Sequence, residues 1–328
     1  MSIIGITMGD PAGVGPEIIM KALAQEQVYE HQYVVYGAAD ILEYYNGMLN
    51  LGLKIVDIQE TEDYVEHAVN VIDSCGLTMT EYEIGKLSAK CGDAAYRYIE
   101  RSIRDAMSGK IAAVVTAPLN KEALHMGGHL YDGHTEIFAT LTGTKTYAMM
   151  FYGPLKIMHV STHCSLREAC NRATKQRVLD VIHLLNQAMI QTGMEHPHLA
   201  VAGLNPHAGE HGLFGDEEIR EIGPAIEEAK MEGIDVEGPI PPDSVFGKTL
   251  NGVYDAAVAM YHDQGHIAAK LQFMSQCVNC TIGLPIIRTS VDHGTAFDIA
   301  GKGIADGTNM KQAMLAGGLC GGERRVCD

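Results

Sequence analysis

Tryptophan is absent from the sequence, and aromatic residues make up only 6% of it. A core of that kind does not suit an aromatic-rich β-sandwich. Basic residues are the minority: 24 Lys and Arg stand against 41 Asp and Glu, for a formal net charge of −17. This argues against nucleic acid as the main partner, because a phosphate backbone needs clustered cations. A small anionic substrate needs only a few local cations and stays open, and the acidity itself reads as solubility. No apolar run reaches the length of a membrane span, so no membrane partner is expected. Met1 to Met8 carry no basic stretch ahead of their apolar residues and do not read as a signal peptide. The eight Cys form no small-scaffold disulfide pattern. Cys277-x-x-Cys280 has no second pair, so incidental thiols in a reducing cytoplasm are the expectation.

The chain does have length, apolar content and glycine: 328 residues, 46% hydrophobic, with 36 Gly. Short apolar runs at Ile3–Met8, Tyr33–Tyr36, Ala112–Thr116, Met149–Tyr152, Lys156–Ser161, Leu199–Gly203 and Ala256–Met260 read as strands. Helical periodicity lies between them. Asp93–Met107 is expected to turn Tyr96, Ile99, Ile103 and Met107 inward. Thr174 caps a helix over Lys175–Thr192 with Val178, Val181, Ile182, Leu185 and Met189 inward and Gly193 as its stop. Asp216 caps a helix over Glu217–Met231. Strand and helix in alternation imply an α/β fold with a mainly parallel sheet, whose ligands bind in loops beyond the strand C-termini.

Four constellations fall at such positions. Met8-Gly9-Asp10-Pro11-Ala12-Gly13-Val14-Gly15-Pro16-Glu17 joins a strand to a helix, with Pro16 suited to the first helical position and Glu17 to the positive end of the dipole. It is not a G-x-G-x-x-G fingerprint, so a structural turn and a ligand loop are both open. His163, His207 and His262 each follow an apolar strand. Three imidazoles at strand ends can converge on one divalent cation, with Asp263 as a supporting group, although each taken singly reads as a surface or capping residue. Asp132-Gly133-His134-Thr135-Glu136 enters a helix whose first N–H groups can hold an oxyanion. Lys270, Asn279 and Arg288 are expected in loops near the His262 strand, where Lys and Arg serve as phosphate or carboxylate partners or as solvated charges. Asp243 follows Pro239–Pro242 in a rigid loop and is by itself a turn residue. The small-residue stretch Arg288–Gly303 reads as a loop able to wrap a planar or sugar-phosphate ligand.

Together these blocks resemble the 4-hydroxythreonine-4-phosphate dehydrogenase family. The resemblance is carried in order by MGDPAGVGPE (8–17), TAPLNK (116–121), GHTE (133–136), STH (161–163), GLNPHAGE (203–210), MYHDQG (260–265), GLP-IRTS-DHGTA (283–296) and AGKG (300–303). It implies a two-lobed α/β/α fold like that of isocitrate and isopropylmalate dehydrogenases, with the active site in the interlobe cleft. The nucleotide-binding lobe is expected over residues 1–125 and 282–328. The metal, substrate and dimerisation lobe is expected over 126–281.

The resemblance further implies His163, His207 and His262 as ligands of one divalent metal ion (zinc, cobalt, nickel, magnesium or manganese), one of the three coming from the partner subunit of a homodimer. It implies His134, Thr135, Lys270, Asn279 and Arg288 as the grip on substrate phosphate and carboxylate, and Asp243 beside the reacting carbons. His293, Gly294, Thr295 and Ala296 match the nucleotide-binding segment. NAD is favoured, with Asp298 suited to a ribose hydroxyl. Lys270, with Asp243 assisting, is the candidate for proton transfer, since a Lys near a metal and other cations has a depressed pKa.

Residues 155–170 and 261–271 look closer to a sister group that oxidises D-threonate or D-erythronate 4-phosphate at C3 and decarboxylates it to dihydroxyacetone phosphate. The alternatives are oxidation of 4-hydroxy-L-threonine 4-phosphate in pyridoxal phosphate synthesis, a non-catalytic sugar-phosphate-binding protein and, last, a metal hydrolase. One departure stands out. Between Lys270 and Asn279 the family carries glycines, where this chain has Leu271–Val278, which narrows the loop's options. Gly317 to Asp328 is expected to fray.

Overall fold

A computed structural model describes residues 2–25, 31–273 and 276–321. Contacts divide the chain into two compact units, Met1–Lys145 with Leu284–Asp328, and Thr146–Gly283. The first unit opens with β1 (Ile3–Thr7), α1 (Gly15–Leu23), β2 (Gln32–Tyr36), α2 (Ala39–Met48), β3 (Ile55–Asp57) and β4 (Val69–Ile72). It continues through α3 (Ala89–Met107), β5 (Ala113–Thr116), α4 (Lys121–Met126) and α5 (His134–Thr142). The second unit holds β6 (Ala148–Tyr152), β7 (Ile157–His159), α6 (Leu166–Arg172), α7 (Lys175–Gln191), β8 (Leu199–Ala202) and α8 (Gly223–Met231). It ends with β9 (Val236–Ile240), α9 (Pro242–Leu250), β10 (Ala256–Ala259), α10 (His262–Phe273) and β11 (Val278–Ile282). The chain then returns to the first unit as β12 (Ile287–Ser290) and α11 (Thr308–Gly321). The first crossing lies at Lys145 and not at residue 125, because α5 packs on α3 of the first unit.

Described strands of the first unit run in the order β3-β4-β2-β1-β5-β12, all paired parallel. Helix α1 contacts α2 and α11, α3 contacts α4 and α5, and strand β5 touches both α11 and α3. The mainly parallel α/β expectation is met. On α3 the buried residues are Cys91, Gly92, Ala94, Ala95, Tyr98, Ile99, Ser102, Ile103, Asp105 and Ala106. Ile99 and Ile103 point in as expected, but Met107 is half exposed and Tyr96 lies at the margin. The helix starts earlier than expected, at Ala89, where the Ser88 side chain accepts the Cys91 N–H. The inward face is therefore set by small residues that let the helix approach the sheet closely.

In the second unit the described strands run β11-β6-β7-β10-β8-β9, antiparallel through β6 and parallel from β7 onward. Its core gathers Phe151, Leu155, Ile157, Ala200, Ala202 and Val245, all buried. Helix α7 behaves as its pattern dictates. The Thr174 hydroxyl accepts the Arg177 N–H, and Val178, Val181, Ile182, Leu185 and Met189 are buried. The helix expected over Glu217–Met231 instead begins as a π-helical turn, Glu218–Ile222, before α8.

Register decides which loops meet. Thr7 and Ser290 both pair with Thr116, so residues 8–14 and 291–296 leave the same edge of the first sheet. His159 pairs with Ala259, and Val258 with Val201, so the segments bearing His163, His262 and His207 leave one edge of the second. No helix among the described residues is long and apolar enough to cross a membrane. The fraying expected from Gly317 is not seen as far as Gly321, which ends α11, and the rest of that stretch lies outside the described residues.

Candidate active site

In the second unit, two short apolar strands end in histidine-bearing turns. The rings of His163 and His262 lie side by side, with centroids 5.9 Å apart at an interplanar angle of 45°. Both face a hollow of about 310 Å³ that Thr162, Cys164, Tyr261 and Asp263 also line. The Asp263 carboxylate is 2.6 Å from His262 Nδ1. A carboxylate only accepts, so Nδ1 carries the proton and Nε2 is left as the lone-pair donor that a metal requires.

Beneath His262 lies a buried pair of imidazoles. His266 stacks on His262 at 3.5 Å and 17°, and its Nδ1 is 3.0 Å from the His262 carbonyl and 3.3 Å from His159 Nε2. His159 Nδ1 donates to the Met149 carbonyl at 3.3 Å, which leaves its Nε2 as an acceptor. Burial pushes His159 down to about 4 and His266 to about 2, so both stay neutral. Arg177 braces the segment ahead of His163, with Nε donating to the Val160 carbonyl and Nη2 to that of Tyr147.

The third expected ligand does not join these two within one chain. His207 starts a run of left-handed residues, its side chain is 63% exposed, and its Nδ1 lies 3.7 Å from Glu210 Oε2. Its ring is edge-on to Phe214. Among the described residues no set of three His, Cys, Asp or Glu is placed to hold a metal. Register brings the three loops to one edge, and the turn of the 203–211 loop then carries His207 away from the pair.

Several expected loop residues stand on regular elements. Lys270 lies on α10, two four-residue steps beyond His262 through His266, so the three share one stripe of the helix. Its Nζ is 5.8 Å from the Phe151 ring centre. Asn279 is on β11; its Nδ2 points to Met149 Sδ at 3.0 Å and its Oδ1 is buried with no hydrogen-bond partner. Asp243 is exposed in the first turn of α9. The glycine-poor 271–278 stretch is not one loop. Leu271–Phe273 extend α10 and Val278 opens β11, because Ala268–Gln272 contain no helix breaker. Residues 274 and 275 lie outside the described residues.

In the first unit Arg288 stands on strand β12, not in a loop, and is only 4% exposed. Its Nη2 donates to Thr116 Oγ1 at 3.0 Å and Nη1 to Thr135 Oγ1 at 3.5 Å, and the guanidinium lies 5.4 Å from the Phe138 ring centre. His134 begins α5, its Nε2 is buried without a partner, and burial followed by the Arg288 charge holds it well below the usual imidazole range. A planar cation, a neutral imidazole and a helix start thus converge where an anion can be bound.

The two glycine-rich stretches of this unit dock on each other. Val14 N–H donates to the Thr295 carbonyl at 2.9 Å, and a Cβ on Gly13 would fall 2.9 Å from Thr295. Ala296 has φ +43°, His293 Nδ1 meets the Gly294 carbonyl at 3.0 Å, and His293, Gly294 and Asp298 are exposed. Glu17 does more than face the dipole. Fully buried, it binds Lys21 at 2.9 Å and accepts the N–H groups of Gly303 and Ala305. Asp10 was not singled out by its sequence context alone. It is fully buried, one oxygen accepts the Ala12 N–H, and the other has no partner.

Comparison with known proteins bears on this arrangement. Residues 29–316 match the family model described as pyridoxal phosphate biosynthetic protein PdxA. D-threonate 4-phosphate dehydrogenase from Pectobacterium atrosepticum is 48% identical over 312 residues, covering 94% of this chain and 96% of the relative. A putative D-threonate 4-phosphate dehydrogenase from Oceanobacillus iheyensis is 47% identical over 317 residues, covering 95% and 96%. The crystal structure of 4-hydroxythreonine-4-phosphate dehydrogenase from Klebsiella pneumoniae superposes with a TM-score of 0.90 at 45% identity, covering 98% of each chain. That of a terephthalate 1,2-cis-dihydrodiol dehydrogenase from Burkholderia xenovorans gives 0.70 at 30% identity over 98% of each. The chain belongs to the PdxA family and is a dehydrogenase of that family.

Proposed function

We propose that the chain oxidises the C3 hydroxyl of D-threonate 4-phosphate or D-erythronate 4-phosphate with NAD and a divalent metal, and releases carbon dioxide to leave dihydroxyacetone phosphate. The observation that carries the metal part is the His163–His262 pair facing one hollow, with Asp263 fixing the His262 proton. The relatives named for D-threonate 4-phosphate support the substrate.

Two neighbouring imidazoles, that of His262 with its tautomer fixed by Asp263, suit a borderline divalent ion such as zinc or cobalt. His207 of a second copy would supply the third ligand. Exposed Leu166, Leu213, Phe214, Ile267 and Leu271 in the same unit favour such a pairing. When bound, the metal supplies Lewis acidity toward the C3 hydroxyl and the oxygen beside it.

The chain's own groups do the rest. Arg288, Thr135 and His134 bind the anionic end of the substrate, with Asn279 and Lys270 as further contacts. Lys270 shares the His262 stripe and takes the hydroxyl proton, with Asp243 assisting. His293–Ala296 and Asp298 present the nucleotide surface that holds NAD for hydride transfer. The hydride leaves C3 for the nicotinamide and the proton leaves its oxygen, giving a β-keto acid. The C1–C2 bond then breaks, its electron pair moves toward the C3 carbonyl, and C2 takes up a proton.

A second reading, 4-hydroxy-L-threonine 4-phosphate as substrate, is favoured by the names of the superposing structures. NADH formation with added metal, compared across the three phosphate esters, tests both. Faster turnover of threonate or erythronate 4-phosphate is the expected result. Preference for the amino substrate would overturn it, and silence on all three would favour a non-catalytic binding protein.

A further inference from the structure

We propose that Glu218 is a positioning residue for His207: a buried carboxylate that holds the Gly203–His211 loop in the conformation from which His207 projects. The inference rests on the reading of His207 as a metal ligand. It begins with an improbable backbone. His207, Ala208, Gly209, Glu210 and His211 have φ of 52°, 54°, 79°, 43° and 57° in succession, and four of the five carry side chains. L-residues visit this region singly and at a cost. A run of them persists only when its surroundings over-determine it.

Glu218 supplies much of that determination. It is 4% exposed. Its Oε1 accepts the Leu204 N–H at 2.8 Å and the Asn205 N–H at 2.7 Å, while Oε2 accepts Asn205 Nδ2 at 2.9 Å. The carboxylate fills the concave side of the loop. A Cβ on Gly209 would fall 2.7 Å from Oε2, and one on Gly203 would fall 3.1 Å from Oε1. Glu218 begins the π-helical turn that replaces the expected α-helical start of this segment, a departure that often marks function. The other side of the loop is held too. Gln264 Nε2 donates to the Gly203 carbonyl at 2.9 Å, and its Oε1 accepts the Met260 N–H at 2.7 Å. Gln264 lies between His262 and His266 on α10, so one frame fixes both the loop of His207 and the start of the His262 helix. A carboxylate that accepts three N–H groups cannot be replaced by an amide without turning an NH₂ toward a donor.

The test uses the full-length protein titrated with cobalt(II) alone. Three chains are compared: wild type, Glu218→Gln and His207→Ala. Two quantities are read: the intensity of the cobalt visible absorption with its binding constant, and amide hydrogen exchange at Leu204 and Asn205. In Glu218→Gln, exchange at those amides is expected to accelerate at least tenfold. Cobalt affinity should fall by roughly ten- to a hundredfold, the range for partners that orient metal ligands, and the spectrum should move toward that of His207→Ala. Should Glu218→Gln fail to fold, Glu218→Asp keeps the charge at shorter reach and carries the same comparison. Faster exchange with wild-type cobalt affinity and spectrum, while His207→Ala loses both, would overturn the positioning role and leave Glu218 purely structural. A wild-type cobalt spectrum in His207→Ala would overturn the metal reading, and this inference with it.

Discussion

Burial shifts a carboxyl in the first unit and two imidazoles in the second in opposite directions. In the first unit Asp10 is enclosed beside the glycine-rich turn, and burial pushes its carboxyl up to about 7 against a slight pull from the Ala12 N–H. In the second, His159 and His266 are pushed down to about 4 and about 2, again mainly by burial. The lesson is one of sign. Burial disfavours whichever form is charged, so it raises an acid and lowers a base. Near neutral pH the two imidazoles are neutral and Asp10 is part-ionised, and the two kinds of group respond oppositely to acid. Between 6.5 and about 4, unfolded His159 takes up a proton that the folded ring refuses, so its contribution is complete above 6.5 and lost as pH falls. Folded Asp10 keeps a proton that the unfolded chain loses above 3.8, so its contribution is present in acid and lost as pH rises toward 7.

The largest effect expected from breaking this contrast is at the imidazole pair itself. His262→Ala should lower turnover roughly a thousandfold, in line with the several kcal/mol a Lewis acid contributes. NAD binding, proposed above for residues of the first unit, should change little, and equilibrium dialysis with NAD checks this. Next, the fall in unfolding free energy of the second unit on going from pH 6.5 toward 4 should shrink by about 3 kcal/mol in His159→Leu. Hydrogen exchange at each unit, followed against pH, measures that slope. Asp10→Asn should leave the second unit's slope intact and remove the first unit's loss toward neutral pH. Third, Arg288→Lys keeps the charge but gives up the fork to Thr116 and Thr135. It should raise KM for the phosphorylated substrate roughly tenfold, the scale of one charged hydrogen bond, with kcat changed less. The smallest effect is at the α7 cap: Thr174→Ala should cost about 1 kcal/mol in urea unfolding and leave kcat unchanged.

Seven strands were legible because each is a short apolar run closed by a turn residue, and their C-terminal ends carry the loops that matter. Strands β3, β4, β9, β11 and β12 were not. β3 has three residues, and β9 contains Gly238-Pro239. β12 is hidden in Arg288–Ser290, whose polar composition reads as loop although Arg288 and Thr289 are buried by pairing with β5. Placement of Lys270 and Asn279 failed for a related reason: part-buried polar residues on regular elements look like loop residues until their neighbours are known. His163 and His262 were legible as strand-end residues. The buried His159–His266 pair and the Glu218 carboxylate were not. Their roles depend on contacts between elements far apart in sequence, and nothing local distinguishes His266 from a solvent-facing helical histidine.

The account's central claim is that His163 and His262 of one chain act with His207 of another. Subunit complementation tests it directly. Inactive His163→Ala and inactive His207→Ala proteins are mixed, unfolded together and refolded, and NADH formation is measured. A mixed dimer would then carry one intact site and one doubly damaged site. The account predicts recovery of about a quarter of wild-type activity on random pairing. No recovery from a mixture shown to contain mixed dimers would contradict it and place all three imidazoles within a single chain.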